Sequence, residues 1–137
     1  MALNLSYSVL VVDDSSTMIR IVSNQLRQIG FVDIDEVQGG ATALAKMRTK
    51  SYGLVISDWN MEPITGLDLL RQVRADPDLG EIPFIMVTAE TRTKNVIAAK
   101  DAGVNNYIVK PFNAQTLKAK IEAVFAERAE PVPGPER

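Results

Sequence analysis

The stretch Val9-Leu10-Val11-Val12-Asp13-Asp14 decides the fold. Its four apolar residues read as a strand buried on both faces, as in a parallel sheet covered on both sides. The run then stops in two acids. Three further runs share the design with different polar endings. Leu54-Val55-Ile56-Ser57 ends in Asp58, Phe84-Ile85-Met86-Val87 in Thr88, and Tyr107-Ile108-Val109 in Lys110. Laid side by side in one parallel sheet, the runs bring three carboxylates, a hydroxyl and an ammonium together at one edge.

Helix-forming segments separate the runs. Ser15-Ser16-Thr17 offers N-caps for a helix over Met18–Ile29, which Gly30 closes. Ala41–Arg48, Leu67–Arg74 and Thr93–Ala102 read as further helices, and Asn113 caps a last one running to about Arg128. A weaker strand, Ile34–Val37, carries Asp35 and Glu36 and follows Asp33, charges that suit the edge of a sheet. Strands alternating with helices predict an α/β fold: a doubly wound, five-stranded parallel sheet with five helices, flavodoxin-like. The order 2-1-3-4-5 is a common form of that sheet and reverses between the first and third strands, where ligands bind. Residues 1–128 read as one domain. The remainder, 129–137, contains Pro131, Pro133 and Pro135 and reads as a disordered tail.

Composition excludes several functions. The chain has 137 residues, a net charge of −2, no cysteine and no histidine. Disulfides, thiol chemistry, a Ser-His-Asp triad and histidine-bound zinc are out of reach. The charge gives no broad attraction to nucleic acid or to an anionic membrane. No signal peptide is evident and no stretch is long and apolar enough to span a bilayer, so the expected location is the cytoplasm. Gly39-Gly40 is not a phosphate cradle, because no G-x-G-x-x-G or Walker A pattern surrounds it.

The chemistry that remains is that of oxygen donors and one ammonium. Carboxylates as close as Asp13, Asp14 and Asp58 repel one another unless a cation sits between them. Mg²⁺ suits one or two carboxylates, a backbone carbonyl and waters, and Asn60 is placed to offer that carbonyl. A carboxylate so held can attack phosphorus. Lys110 supplies positive charge to the equatorial oxygens, Thr88 a hydrogen bond, and the small Ala89 leaves room.

The runs ending in Asp13-Asp14, Asp58-Trp59-Asn60-Met61, Thr88-Ala89-Glu90 and Lys110-Pro111-Phe112 resemble the receiver domains of two-component response regulators. The likeness spans Val9 to Phe125 and is nearest to the single-domain chemotaxis receivers, the CheY type. It implies a phosphoacceptor at Asp58, assisted by Thr88 and Lys110. It implies Mg²⁺ held by Asp13, Asp14, Asp58 and the Asn60 carbonyl. It further implies a switch at Tyr107, a cis Lys110-Pro111 peptide, and tuning of self-dephosphorylation at Asn60 and Glu90. The implied partner face comprises Val96, Lys100, Tyr107 and Lys120. The implied partners are a histidine kinase of the CheA type as phosphodonor and a flagellar motor switch protein as target, with the receiver a monomer. It would catalyse only its own phosphorylation and dephosphorylation.

Three departures stand out: the loop Glu62-Pro63-Ile64-Thr65-Gly66, the apolar Ile19 and the Pro-rich tail. The first helix carries more apolar residues than one face can bury. Ile21, Val22, Leu26 and Ile29 are expected in the core, leaving Met18 and Ile19 exposed to dock the kinase. Two alternatives keep the same chemistry, a phosphate sink and a phosphorelay intermediate. A third is a flavodoxin-like flavin or nucleotide binder. A phosphatase with an aspartyl nucleophile would want a second carboxylate just after Asp58, where Trp59 and Asn60 stand.

Overall fold

A computed structural model describes residues 3–89 and 93–129. Five strands, β1 (Val9–Val12), β2 (Ile34–Val37), β3 (Leu54–Asp58), β4 (Phe84–Thr88) and β5 (Asn106–Val109), form one sheet in the order β2-β1-β3-β4-β5. Every pairing is parallel. Five helices alternate with them: α1 (Ser16–Ile29), α2 (Gly40–Thr49), α3 (Gly66–Ala75), α4 (Thr93–Asp101) and α5 (Ala114–Ala129). The expected fold class, order and helix count hold, with element ends moved by one or two residues. Helix α5 runs one residue past the boundary set at 128, and the rest of the Pro-rich segment lies outside the described residues.

Alternation along the strands divides the core into two layers. Val9, Val11, Leu54, Ile56, Ile85 and Val87 pack with Ile19, Val22 and Leu26 of α1 and Leu117, Ile121 and Val124 of α5. Leu10, Val12, Val55 and Met86 face the other way, onto Ala43 and Met47 of α2 and Leu69, Leu70 and Val73 of α3. Each fully buried aliphatic side chain contributes about 1.5–3 kcal/mol. The apolar runs are uninterrupted because both of their faces are covered.

Local signals set the helix ends. The Ser15 hydroxyl accepts from the Met18 N–H at 3.2 Å. Gly30 adopts φ 125° and its N–H closes α1 on the Leu26 carbonyl. In α3, Thr65 and Asp68 form a reciprocal capping box. Arg74, near the end of α3, donates to the Gly80, Ile82 and Gly103 carbonyls and to Asn105 Oδ1, which also accepts the Phe84 N–H. One guanidinium thus binds together the loops that enter β4 and β5.

In α1 the expected places of Ile19 and Ile21 are exchanged. Ile19 is 5% exposed, whereas Ile21 is 42% exposed. The buried stripe is Ile19, Val22, Ser23 and Leu26, the i, i+3, i+4, i+7 face of the helix. Met18 and Ile29 are half-buried against the same layer. The docking surface expected from Met18 and Ile19 is therefore largely spent on the core. A residue pattern with too many apolar side chains did not reveal the rotation of the helix; contact with the sheet did.

Strand β2 lies at the sheet edge, and its acids are engaged. Lys50 Nζ bridges Asp33 Oδ1 and Asp35 Oδ2, each at 2.9 Å. The Ser8 hydroxyl donates to Asp33 and the Tyr52 hydroxyl to Asp35. Ser8 first and Lys50 next hold the Asp33 carboxyl below its ordinary range; Tyr52 and then Lys50 do the same for Asp35. Carboxyls depressed on folding stabilise the fold above their ordinary pKa and lose that contribution as pH falls through the folded values. Lys50→Met is expected to lower the melting temperature at about pH 7, with the gap from the parent closing below about pH 3. A gap that stayed constant in melts across that range would contradict the assignment.

Candidate functional site

The strand register levels the polar endings. Val12 pairs with Ser57, Asp58 with Val87, and Thr88 with Val109. Asp13, Asp58, Thr88 and Lys110 therefore gather at the carboxyl edge of the four inner and outer strands β1, β3, β4 and β5. The ladder continues into the site. The Trp59 N–H reaches the Val87 carbonyl at 2.9 Å, and the Lys110 N–H reaches the Thr88 carbonyl at 2.8 Å.

Asp13 and Asp58 are 5% and 4% exposed, and Thr88 is fully buried. Lys110 Nζ lies 2.8 Å from Asp58 Oδ1. That charge contact falls outside hydrogen-bond geometry, so Oδ1 is buried without a hydrogen-bond donor among the described residues. Burial pushes the Asp13 carboxyl up from its usual range, and the Asp58 charge adds to the rise. The Ser15 N–H, which donates to Asp13 Oδ1 at 2.9 Å, and the Lys110 charge oppose it. Burial first, and the neighbouring Asp58 charge after it, disfavour the anionic form of Asp13.

Asp14 behaves differently. It is exposed, and its Oδ2 accepts the Glu62 N–H at 3.0 Å. Among the described residues no three acids converge into a ready metal cage. Asp14 instead borders an open hollow of about 370 Å³ with Trp59, Asn60 and Glu62. Asn60 is exposed on the loop after β3. Two buried carboxylates, a nearby exposed acid and loop carbonyls form an all-oxygen donor set. That set fits a hard divalent cation that keeps several waters, and such an ion would relieve the repulsion seen at Asp13.

The remaining expected residues separate into groups. Tyr107 is half-buried, with its ring edge-on to Trp59 at 6.5 Å and 74°. Val96, Lys100, Tyr107 and Lys120 line one open groove of about 630 Å³, so the structure brings the expected partner face together. The Lys110-Pro111 peptide is cis, as is Glu62-Pro63. Glu90 lies outside the described residues.

Residues 9–122 match the response regulator receiver domain. The chain belongs to that family. It is 50% identical over 117 residues to the chemotaxis protein CheY of Pseudomonas aeruginosa, an alignment covering 85% of this chain and 94% of that one. It is 47% identical over 123 residues to CheY-3 of Vibrio cholerae, covering 90% and 95%. The structure of the chemotaxis response regulator CheY4 of Vibrio cholerae superposes with a TM-score of 0.80 at 33% identity, over 87% of this chain and 98% of that one. The flavin or nucleotide alternative is set aside by this membership. Among the described residues no helix of the receiver is long and apolar enough to cross a membrane.

Sequence reading passed over two features of this receiver. The Glu62 backbone that holds Asp14 is one, because a backbone donor leaves no mark in residue identity. Gly66 is the other. A Cβ there would stand 2.2 Å from the Asp58 carbonyl oxygen and 2.9 Å from Trp59 Cα. Its N–H also donates to the Trp59 carbonyl at 2.9 Å. The first residue of α3 is thus pressed against the backbone that aims Asp58. Gly66→Ala is expected to cost about 3 kcal/mol in denaturant unfolding. A variant as stable as the parent would show that the close approach relaxes freely.

Proposed function

We propose that this receiver accepts a phosphoryl group on Asp58 from the phosphohistidine of a CheA-type kinase. We further propose that it signals through phosphorylation-dependent protein binding in chemotaxis, with a flagellar motor switch protein as target. The observation that carries the first step is the buried Asp58 carboxylate, whose Oδ1 lies 2.8 Å from Lys110 Nζ. The carboxylate is almost wholly removed from solvent and lies beside a positive charge. The relatives named as chemotaxis proteins support the second.

In the proposed step an Asp58 carboxylate oxygen forms a bond to phosphorus while the phosphorus–nitrogen bond to the donor imidazole breaks. The imidazole leaves with the electron pair and takes up a proton. Bound Mg²⁺, held by Asp13, Asp58, the Asn60 carbonyl and Asp14, would neutralise charge on the phosphoryl oxygens. Lys110 shifts from the free carboxylate to the phosphoryl group, and Thr88 donates its hydroxyl to another phosphoryl oxygen. Tyr107, beside Trp59, follows the movement of Thr88 and alters the groove lined by Val96, Lys100 and Lys120. Water later cleaves the aspartyl phosphate, at a rate set by Asn60 and Glu90. The working unit is residues 1–128, acting as a monomer in the cytoplasm, where an ATP-driven kinase operates.

Incubation with acetyl phosphate and Mg²⁺ is expected to add the mass of one phosphoryl group. Asp58→Asn and chelation of the metal should each abolish the gain, and Lys110→Ala should slow it on the order of 10²-fold. A gain that survived Asp58→Asn would refute the assignment. Binding of the phosphorylated form to a motor-switch peptide separates the proposed role from a phosphate sink or a relay intermediate, neither of which needs that contact.

A further inference from the structure

We propose that Gln25 is a positioning residue for phosphoryl transfer, holding the loop that carries Lys110. The proposal rests on the reading of Asp58 as phosphoacceptor. Gln25 lies on α1, half-buried, and its Nε2 donates to the Phe112 carbonyl at 3.0 Å across 87 positions of sequence.

The energetics of this amide are unusual for a residue kept only for stability. Its Oε1 is buried with no hydrogen-bond partner among the described residues. The single neutral hydrogen bond it makes returns less than a buried acceptor without a partner costs. An apolar side chain of similar shape would serve the core as well or better. What distinguishes the bond is where it lands.

It lands on the joint between Lys110 and α5. The last ladder bond of β5 is the Lys110 N–H to the Thr88 carbonyl at 2.8 Å. Pro111 has no N–H to offer. The next fixed point is Asn113, whose Oδ1 accepts the Thr116 N–H at 2.8 Å. Between these two anchors the Phe112 carbonyl is held from outside the loop by Gln25, while the Phe112 ring packs against the layer shared by α1 and α5. The Lys110 ammonium sits at the end of a flexible stem, so its reach to Asp58 depends on where its backbone is held. A displacement of about 1 Å can cost up to 10²-fold in a transfer governed by placement.

The test compares the parent with Gln25→Leu, which keeps the bulk, and Gln25→Glu, which keeps the shape and removes the donor. Phosphorylation by acetyl phosphate is followed by mass spectrometry, Mg²⁺ affinity by Trp59 fluorescence, stability by melting, and the Lys110 amide by its ¹H–¹⁵N signal. Both variants should phosphorylate on the order of tenfold more slowly. Mg²⁺ affinity should be unchanged, the Lys110 amide should shift, and Gln25→Leu should melt no lower than the parent. Parent-like rates in both variants, or a slowing that only tracks lost stability, would overturn the proposal. If the parent itself gains no mass on Asp58, the underlying reading fails with it; parent phosphorylation at a normal rate together with unaffected variants sinks this inference alone.

Discussion

The parallel register of four neighbouring strands is the constraint on which everything else hangs. Once Val12 is paired with Ser57, Asp58 with Val87 and Thr88 with Val109, the polar endings have nowhere to go but one another's company. The register is stiff because both faces of the sheet are buried. A slip by one residue would turn every side chain of a strand into the opposite layer. Core packing that contains no polar group of the site therefore fixes the separation of those groups.

That arrangement has a cost, and the site shows it. Two carboxylates and an ammonium are brought out of water at one edge, and Asp13 responds by holding its proton more tightly than an ordinary carboxyl. The Lys110 charge offsets part of the penalty at Asp58. The rest is left standing, which suits the cation and phosphoryl group proposed for this site. Gly66 lies close against the Asp58 backbone, and Arg74 holds the loops entering β4 and β5.

Signalling requires that the occupied and empty states differ at a distance. Thr88 is fully buried between Asp58 and β5, and its own carbonyl accepts the Lys110 N–H. Tyr107 stands between Trp59, next to Asp58, and the groove formed by α4, β5 and α5. Neighbouring side chains thus lie between Asp58 and the proposed partner face. The same elements that place the charges also frame that groove, so no separate machinery is needed to link them.

The sequence by itself determined the α/β class, the five strands and the identity of the residues at their ends. Those signals are local: an apolar run needs no partner to be recognised, and neither does the polar residue that stops it. The sequence also marked β2 as an edge strand by its acids. Tertiary structure alone decided which face of α1 turns inward, burying Ile19 and exposing Ile21. It turned the Asp14 carboxylate to the Glu62 backbone instead of into a three-acid cluster. It required glycine at position 66 and sent Gln25 to a carbonyl far along the chain. In each case the deciding contact joins residues distant in sequence, and often a backbone atom that every residue shares, so residue identity carries no trace of it.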